Sequence, residues 1–140
     1  YYYMLTDGRI EVLWMAAMKH SRQRDAVREN LMQRRDHPTA DMIYEDIRKE
    51  HPNISLGTVY RNLSVLVETG DVNKLNTDSA DRFDANLEPH AHFICSSCGA
   101  IVDLPPVGIE SMEKEASNYV EGTIDKTNIC FIGHCKKCMV

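Results

Sequence analysis

Apolar side chains recur at helical spacing in three short runs between Ser21 and Gly70. In the first, Ala26, Val27 and Leu31 follow a capping-type start at Ser21. His37-Pro38-Thr39 breaks that run, because a proline disfavours helix in the residue before it. Thr39 is placed to cap a second helix carrying Met42, Ile43 and Ile47, which ends near His51-Pro52. Ser55 caps a third, with Leu56, Val59, Leu63, Leu66 and Val67 on one side and Gly70 as its stop. Projected at about 100° per residue, this helix centres its buried stripe on Leu63 and turns Gly57, Thr58, Arg61 and Val65 outward, with Tyr60 flanking.

Beyond Gly70 the period shortens. Residues 72–75 and 81–84 bracket a turn-rich stretch, 76–80, and predict a two-stranded hairpin. Three helices followed by a hairpin make a winged helix-turn-helix over residues 18–84, an arrangement that sends its last helix into the DNA major groove. Residues 85–89 read as a hinge. Residues 92–95 and 100–104 then predict strands, the second stopped by Pro105-Pro106. A helix is expected over 107–121 with Ile109, Met112, Ala116 and Val120 on one side, and a β-branched-rich strand over 124–132. The expected fold class is α+β: a winged-helix domain followed by a small α/β dimerisation domain, residues 90–140, stapled by a four-cysteine zinc site. So small a unit buries little core of its own, so zinc and a partner subunit are its expected staples. Residues 1–17 read as an N-terminal extension ahead of Met18.

Charge alters this picture locally. The 140 residues carry a net charge of −5, which argues against nucleic acid only if it is evenly spread. It is not: Lys19 to Arg35 holds six basic residues against two acidic ones, whereas residues 83–140 hold four against eight. A basic patch on an acidic chain is compatible with DNA, whose affinity depends on local phosphate contacts, and equally with a solvated helix face. No stretch offers the roughly 20 apolar residues of a membrane span. The five cysteines, an odd count without a secretion signal at the start of the chain, point to a reducing cytoplasm.

Four of those cysteines form the pairs Cys95-x-x-Cys98 and Cys135-x-x-Cys138. Each pair spans a tight knuckle, and two knuckles complete the closed thiolate tetrahedron of structural zinc. The alternative, two redox dithiols, needs a strand-to-helix setting that neither pair has. Cys130, in an apolar strand, reads as core. His90 and His92 alternate along a strand and therefore share a face, with Asp84 upstream and Asp103 downstream. His-x-His alone is often surface decoration, but with two carboxylates it becomes a mixed set suited to Fe2+, Mn2+ or Zn2+. His37 reads on its own as a partly buried interhelical histidine. His20, His51 and His134 read as solvated.

Taken together, His37-Pro38-Thr39-Ala40-Asp41, Thr58-Val59-Tyr60-Arg61-Asn62-Leu63, His90-x-His92, Asp103 and the two Cys-x-x-Cys pairs resemble the ferric-uptake-regulator (Fur) superfamily, from about Met18 to Cys138. The resemblance implies a homodimeric, metal-dependent transcription factor. It assigns structural zinc (Zn2+) to Cys95, Cys98, Cys135 and Cys138, and a regulatory Fe2+ or Mn2+ to His37, Asp84, His90, His92 and Asp103. Iron-uptake regulators typically carry glutamates where this chain has Asp84 and Asp103; aspartate at both resembles the peroxide-responsive (PerR) branch. There, iron-bound histidines matching His37 or His90 become oxidised. The same pattern implies DNA contacts from Thr58, Tyr60 and Arg61, with Lys19 reaching the minor groove of an A·T-rich inverted repeat. The long start and His134 beside Cys135 depart from the pattern. The expected function is a peroxide-sensing repressor, with a sensor of iron, manganese or zinc availability as its alternative. A metalloenzyme on the His/Asp set would leave the recognition helix unemployed, and a zinc-stapled interaction module would leave His37, Asp84, His90, His92 and Asp103 unexplained.

Overall fold

Two helix starts are set by hydroxyl caps. In the computed structural model, which describes residues 22–139, Thr39 Oγ1 accepts from the Met42 N–H at 3.3 Å and Ser55 Oγ from the Thr58 N–H at 3.1 Å. Three helices result: α1 over residues 22–32, α2 over Ala40–Ile47 and α3 over Leu56–Glu68. Val27 and Leu31 of α1, Ala40, Ile43 and Ile47 of α2, and Val59, Leu63 and Leu66 of α3 bury their side chains in one cluster with Ile54, Val72 and Phe83. Met42, read as part of that stripe, faces outward instead. Gly70 ends α3 in the left-handed region at φ 78, and the Asp71 N–H turns back to the Leu66 carbonyl at 2.9 Å.

The wing follows as β1 (Asn73–Leu75) and β2 (Arg82–Asp84), antiparallel, with Lys74 opposite Phe83. Phe83 points into the helical core and so fastens the wing to it. This first compact unit ends at Leu87; the second begins at Glu88.

The second unit is a three-stranded mixed sheet in the order β4-β3-β5 with one helix. Its central strand β3 (Ala91–Cys95) runs antiparallel to β4 (Ile101–Leu104) and parallel to β5 (Cys130–Gly133), a crossover that carries α4 (Ile109–Ala116). Two elements are shorter than the pattern predicts. α4 stops at Ala116 because Ser117 turns its hydroxyl back to the Glu113 carbonyl at 2.7 Å and the chain beyond it buries nothing, with Tyr119 83% exposed. Of residues 124–132, only the end pairs as a strand. Cys130, expected in the core, is exposed, because β5 is an edge strand with no layer over its apolar run. No helix among the described residues is long and apolar enough to cross a membrane. The extension over 1–17, Met18, Lys19, His20 and the cap at Ser21 lie outside the described residues.

Candidate metal centres and nucleic-acid face

The four thiols converge from two knuckles of the second unit. Cys95 closes β3, and the Gly99 N–H folds back on its carbonyl at 2.9 Å, a turn that Gly99 permits at φ 71. Cys135 caps and Cys138 ends a single 3-10 turn, Lys136–Cys138. Ser96 bonds the Gly133 carbonyl through its N–H at 2.9 Å and its hydroxyl at 3.1 Å, while Ser97 Oγ lies 2.9 Å from His134 Nδ1. His134 thus braces the knuckles together.

The sulfur atoms all lie within 4.8 Å of one another, and Cys98 and Cys135 are 3.8 Å apart. Four sulfurs at about 2.3 Å from a central zinc would be separated by about 3.8 Å, so the cage fits that ion. Backbone N–H groups, first that of Cys135 at 3.3 Å, lower the Cys95 thiol to about 6. Hydrogen bonds with Cys135 and Cys98 push Cys138 up to about 12. Thiols this close cannot all ionise unless a cation sits among them.

Each unit carries candidate donors of its own. In the first, His37 Nε2 is 3.6 Å from Asp84 Oδ2, and both side chains are buried. Asp84 is held in place by the Asn86 N–H, which donates to its Oδ1 at 2.8 Å. In the second, β3 and β4 place His92 directly opposite Asp103. His90 Nε2 and His92 Nε2 are 2.9 Å apart, and Asp103 Oδ1 is 3.4 and 3.3 Å from them. Ligands at about 2.1 Å around a metal are about 3.0 to 3.4 Å from each other, the edges of this triangle. His90 Nδ1 lies 2.6 Å from the Glu88 carbonyl. A carbonyl only accepts, so Nδ1 carries the proton and Nε2 keeps its lone pair for an ion.

Arg82 was not visible as a site residue in the sequence. Its guanidinium donates to the His37 and Asp36 carbonyls, and its only sequence signal is an Arg-Phe-Asp alternation that sets Arg82 and Asp84 on one strand face. The Glu88 carbonyl had no signal at all, since every residue has one.

On α3, Arg61 is exposed and Tyr60 is half-exposed, its hydroxyl donating to Asp41 Oδ2 at 3.2 Å. Thr58 is half-buried, with its hydroxyl 2.8 Å from Ser55 Oγ, so it serves the helix cap. Within the basic stretch, Arg34 is occupied by Asp36 and Asp46, each at 2.6 Å. Arg22, Arg28 and Arg35 are exposed.

A model of the ferric uptake regulator family matches residues 15–131. The peroxide-responsive repressor PerR of Staphylococcus aureus is 36% identical over 133 residues, covering 94% of this chain and 90% of that protein. Among solved structures, the Campylobacter jejuni peroxide stress regulator superposes with a TM-score of 0.82 at 31% identity, covering 96% of this chain and all of that one (100%). The Helicobacter pylori ferric uptake regulator, whose structure reveals three functional metal-binding sites, gives 0.74 at 27% identity, over 94% of this chain and 91% of its own.

Proposed function

Because the chain belongs to the ferric uptake regulator family, we propose that it is a dimeric, metal-dependent DNA-binding repressor that senses hydrogen peroxide by oxidation of a ligand histidine. The observation that carries this reading is the donor triangle of His90, His92 and Asp103, set for a cation by the Glu88 carbonyl. The family resemblance adds His37 and Asp84, themselves 3.6 Å apart, to the proposed ligand set. In a dimer, the spacing of two recognition helices must match half-sites one or more helical turns apart, and bound metal would favour the matching form. Moving such an equilibrium from 1:99 to 99:1 takes about 5.5 kcal/mol of differential binding, within the scale of metal–ligand energies.

Aspartate at both carboxylate positions supports the peroxide-sensing reading over simple metal sensing. Fe2+ held by these residues would activate hydrogen peroxide, whereas Mn2+ in its place would support DNA binding and react poorly. A ring C–H of His37 or His90 would become C–OH with one peroxide oxygen, and the other oxygen would leave as water. The altered ring loses its neutral nitrogen donor, and the ligand set opens. At the DNA, Arg61 suits a guanine edge or a phosphate, and Tyr60 a base edge of an A·T-rich inverted repeat; Lys19 is assigned to the minor groove.

The test is a pair of measurements. Purified protein should bind a palindromic A·T-rich duplex with Mn2+ and release it on chelation; equal binding in both states sinks the sensor. After peroxide treatment with Fe2+, mass spectrometry should find one added oxygen on the peptide carrying His37 or His90. Unmodified peptides with intact metal-dependent DNA binding would leave a sensor of metal availability.

A further inference from the structure

Three successive carbonyls, those of Asp36, His37 and Pro38, are all tied to strand β2. Arg82 donates to the first through Nη2 at 2.9 Å and to the second through Nε, and the Phe83 N–H donates to the third at 3.0 Å. The middle residue needs that grip. His37 stands at φ 50, and no other non-glycine residue among those described has a positive φ. A Cβ disfavours this region, and the following Pro38 narrows the choices further. Such a backbone persists only where its surroundings over-determine it. Arg82 and Asp84 lie on the same face of β2, while Phe83 points into the core. One strand face therefore holds His37 twice, its backbone through Arg82 and its ring through Asp84.

We infer that Arg82 is a positioning residue for metal binding: its forked guanidinium, bridging the Asp36 and His37 carbonyls, presets His37 beside Asp84 and ties the metal half-site to the DNA-binding wing. The inference rests on the regulatory role proposed for His37 and Asp84. An arginine on a wing is more simply a phosphate contact, and the two roles separate experimentally. A positioning residue alters metal affinity and leaves the salt dependence of DNA binding alone, whereas a phosphate contact lowers the salt slope by about one and leaves metal affinity alone.

The test uses the full chain with its zinc, in the forms Arg82→Gln, Arg82→Lys and His37→Ala, with Mn2+ itself as the probe in calorimetry. Arg82→Gln should bind Mn2+ about 10- to 100-fold more weakly, the usual effect of removing a group that orients a ligand. Arg82→Lys keeps the charge but not the fork, so it should fall between Arg82→Gln and the parent protein. Zinc content should not change. In metal-free protein, trypsin should cut after Arg34 or Arg35 faster in Arg82→Gln, since the following carbonyls are no longer held. This readout does not depend on metal. Parent-like Mn2+ affinity in both Arg82 variants, with His37→Ala impaired, overturns the Arg82 role and leaves the regulatory site standing. Parent-like affinity in His37→Ala overturns the regulatory site, and this inference with it.

Discussion

A cysteine in this chain matters through its neighbours. Cys98 lies 3.8 Å from Cys135, and a zinc ion among the four thiolates would resolve the repulsion of charges packed so closely. Cys98→Ser removes one corner of a site with few other staples. Elemental analysis should show zinc falling from about one per chain to near zero, and the second unit should become protease-sensitive, because structural zinc supplies folding free energy directly. Arg34 offers a contrast. It grips Asp36 through Nε at 2.9 Å and Nη2 at 2.6 Å, and this bond holds the Asp36 carboxyl below its ordinary value. Asp46 is also lowered, first by Lys49, with Asn30 and Arg34 adding to the effect against burial. A depressed folded-state value stabilises the protein above the unfolded carboxylate range, and the benefit disappears as pH falls through the lowered values. With Asp36 half-exposed, water screens the pair, so Arg34→Ala should cost less than about 1 kcal/mol at neutral pH. Urea unfolding followed toward acid should show the gap to the parent protein closing.

At the level of elements, the recognition helix depends on its inner stripe. Leu63 is 1% exposed between Val59 and Leu66, and truncation to alanine should cost about 2 to 5 kcal/mol, measurable as a lowered urea midpoint. The stripe and the caps were legible in the sequence because they are local: Ser55 and Thr39 bond backbone three residues away, and helical periodicity needs no knowledge of the partner. The second unit was less legible. Apolar residues around 109–120 and 124–132 have helix and strand spacing, yet α4 and β5 keep only part of them, because a single sheet with one helix leaves most of those side chains uncovered. Cys130 was misjudged for the same reason: an apolar run looks alike in a central strand and in an edge strand.

For the whole molecule, the uncovered surface of the second unit bears on assembly. Ile132 is 71% exposed on edge strand β5, beside Phe131 at 46%. An apolar edge strand invites pairing, and the proposed dimer gives it a partner. Ile132→Glu should shift the sedimentation coefficient from dimer toward monomer and weaken binding to a two-half-site duplex, while zinc content stays at the parent level. The chain by itself determined its first three helices, its wing and its two Cys-x-x-Cys knuckles, because each depends on residue types a few positions apart. It also displayed His37, Asp84, His90, His92 and Asp103 as chemically suitable donors. Only the folded chain decided that Arg82 reaches the His37 carbonyl and the Phe83 N–H that of Pro38, that His90 is turned by the Glu88 carbonyl, and that His134 spends its ring on Ser97. Those contacts join positions distant in sequence or use backbone atoms common to every residue, and neither leaves a pattern in the order of side chains.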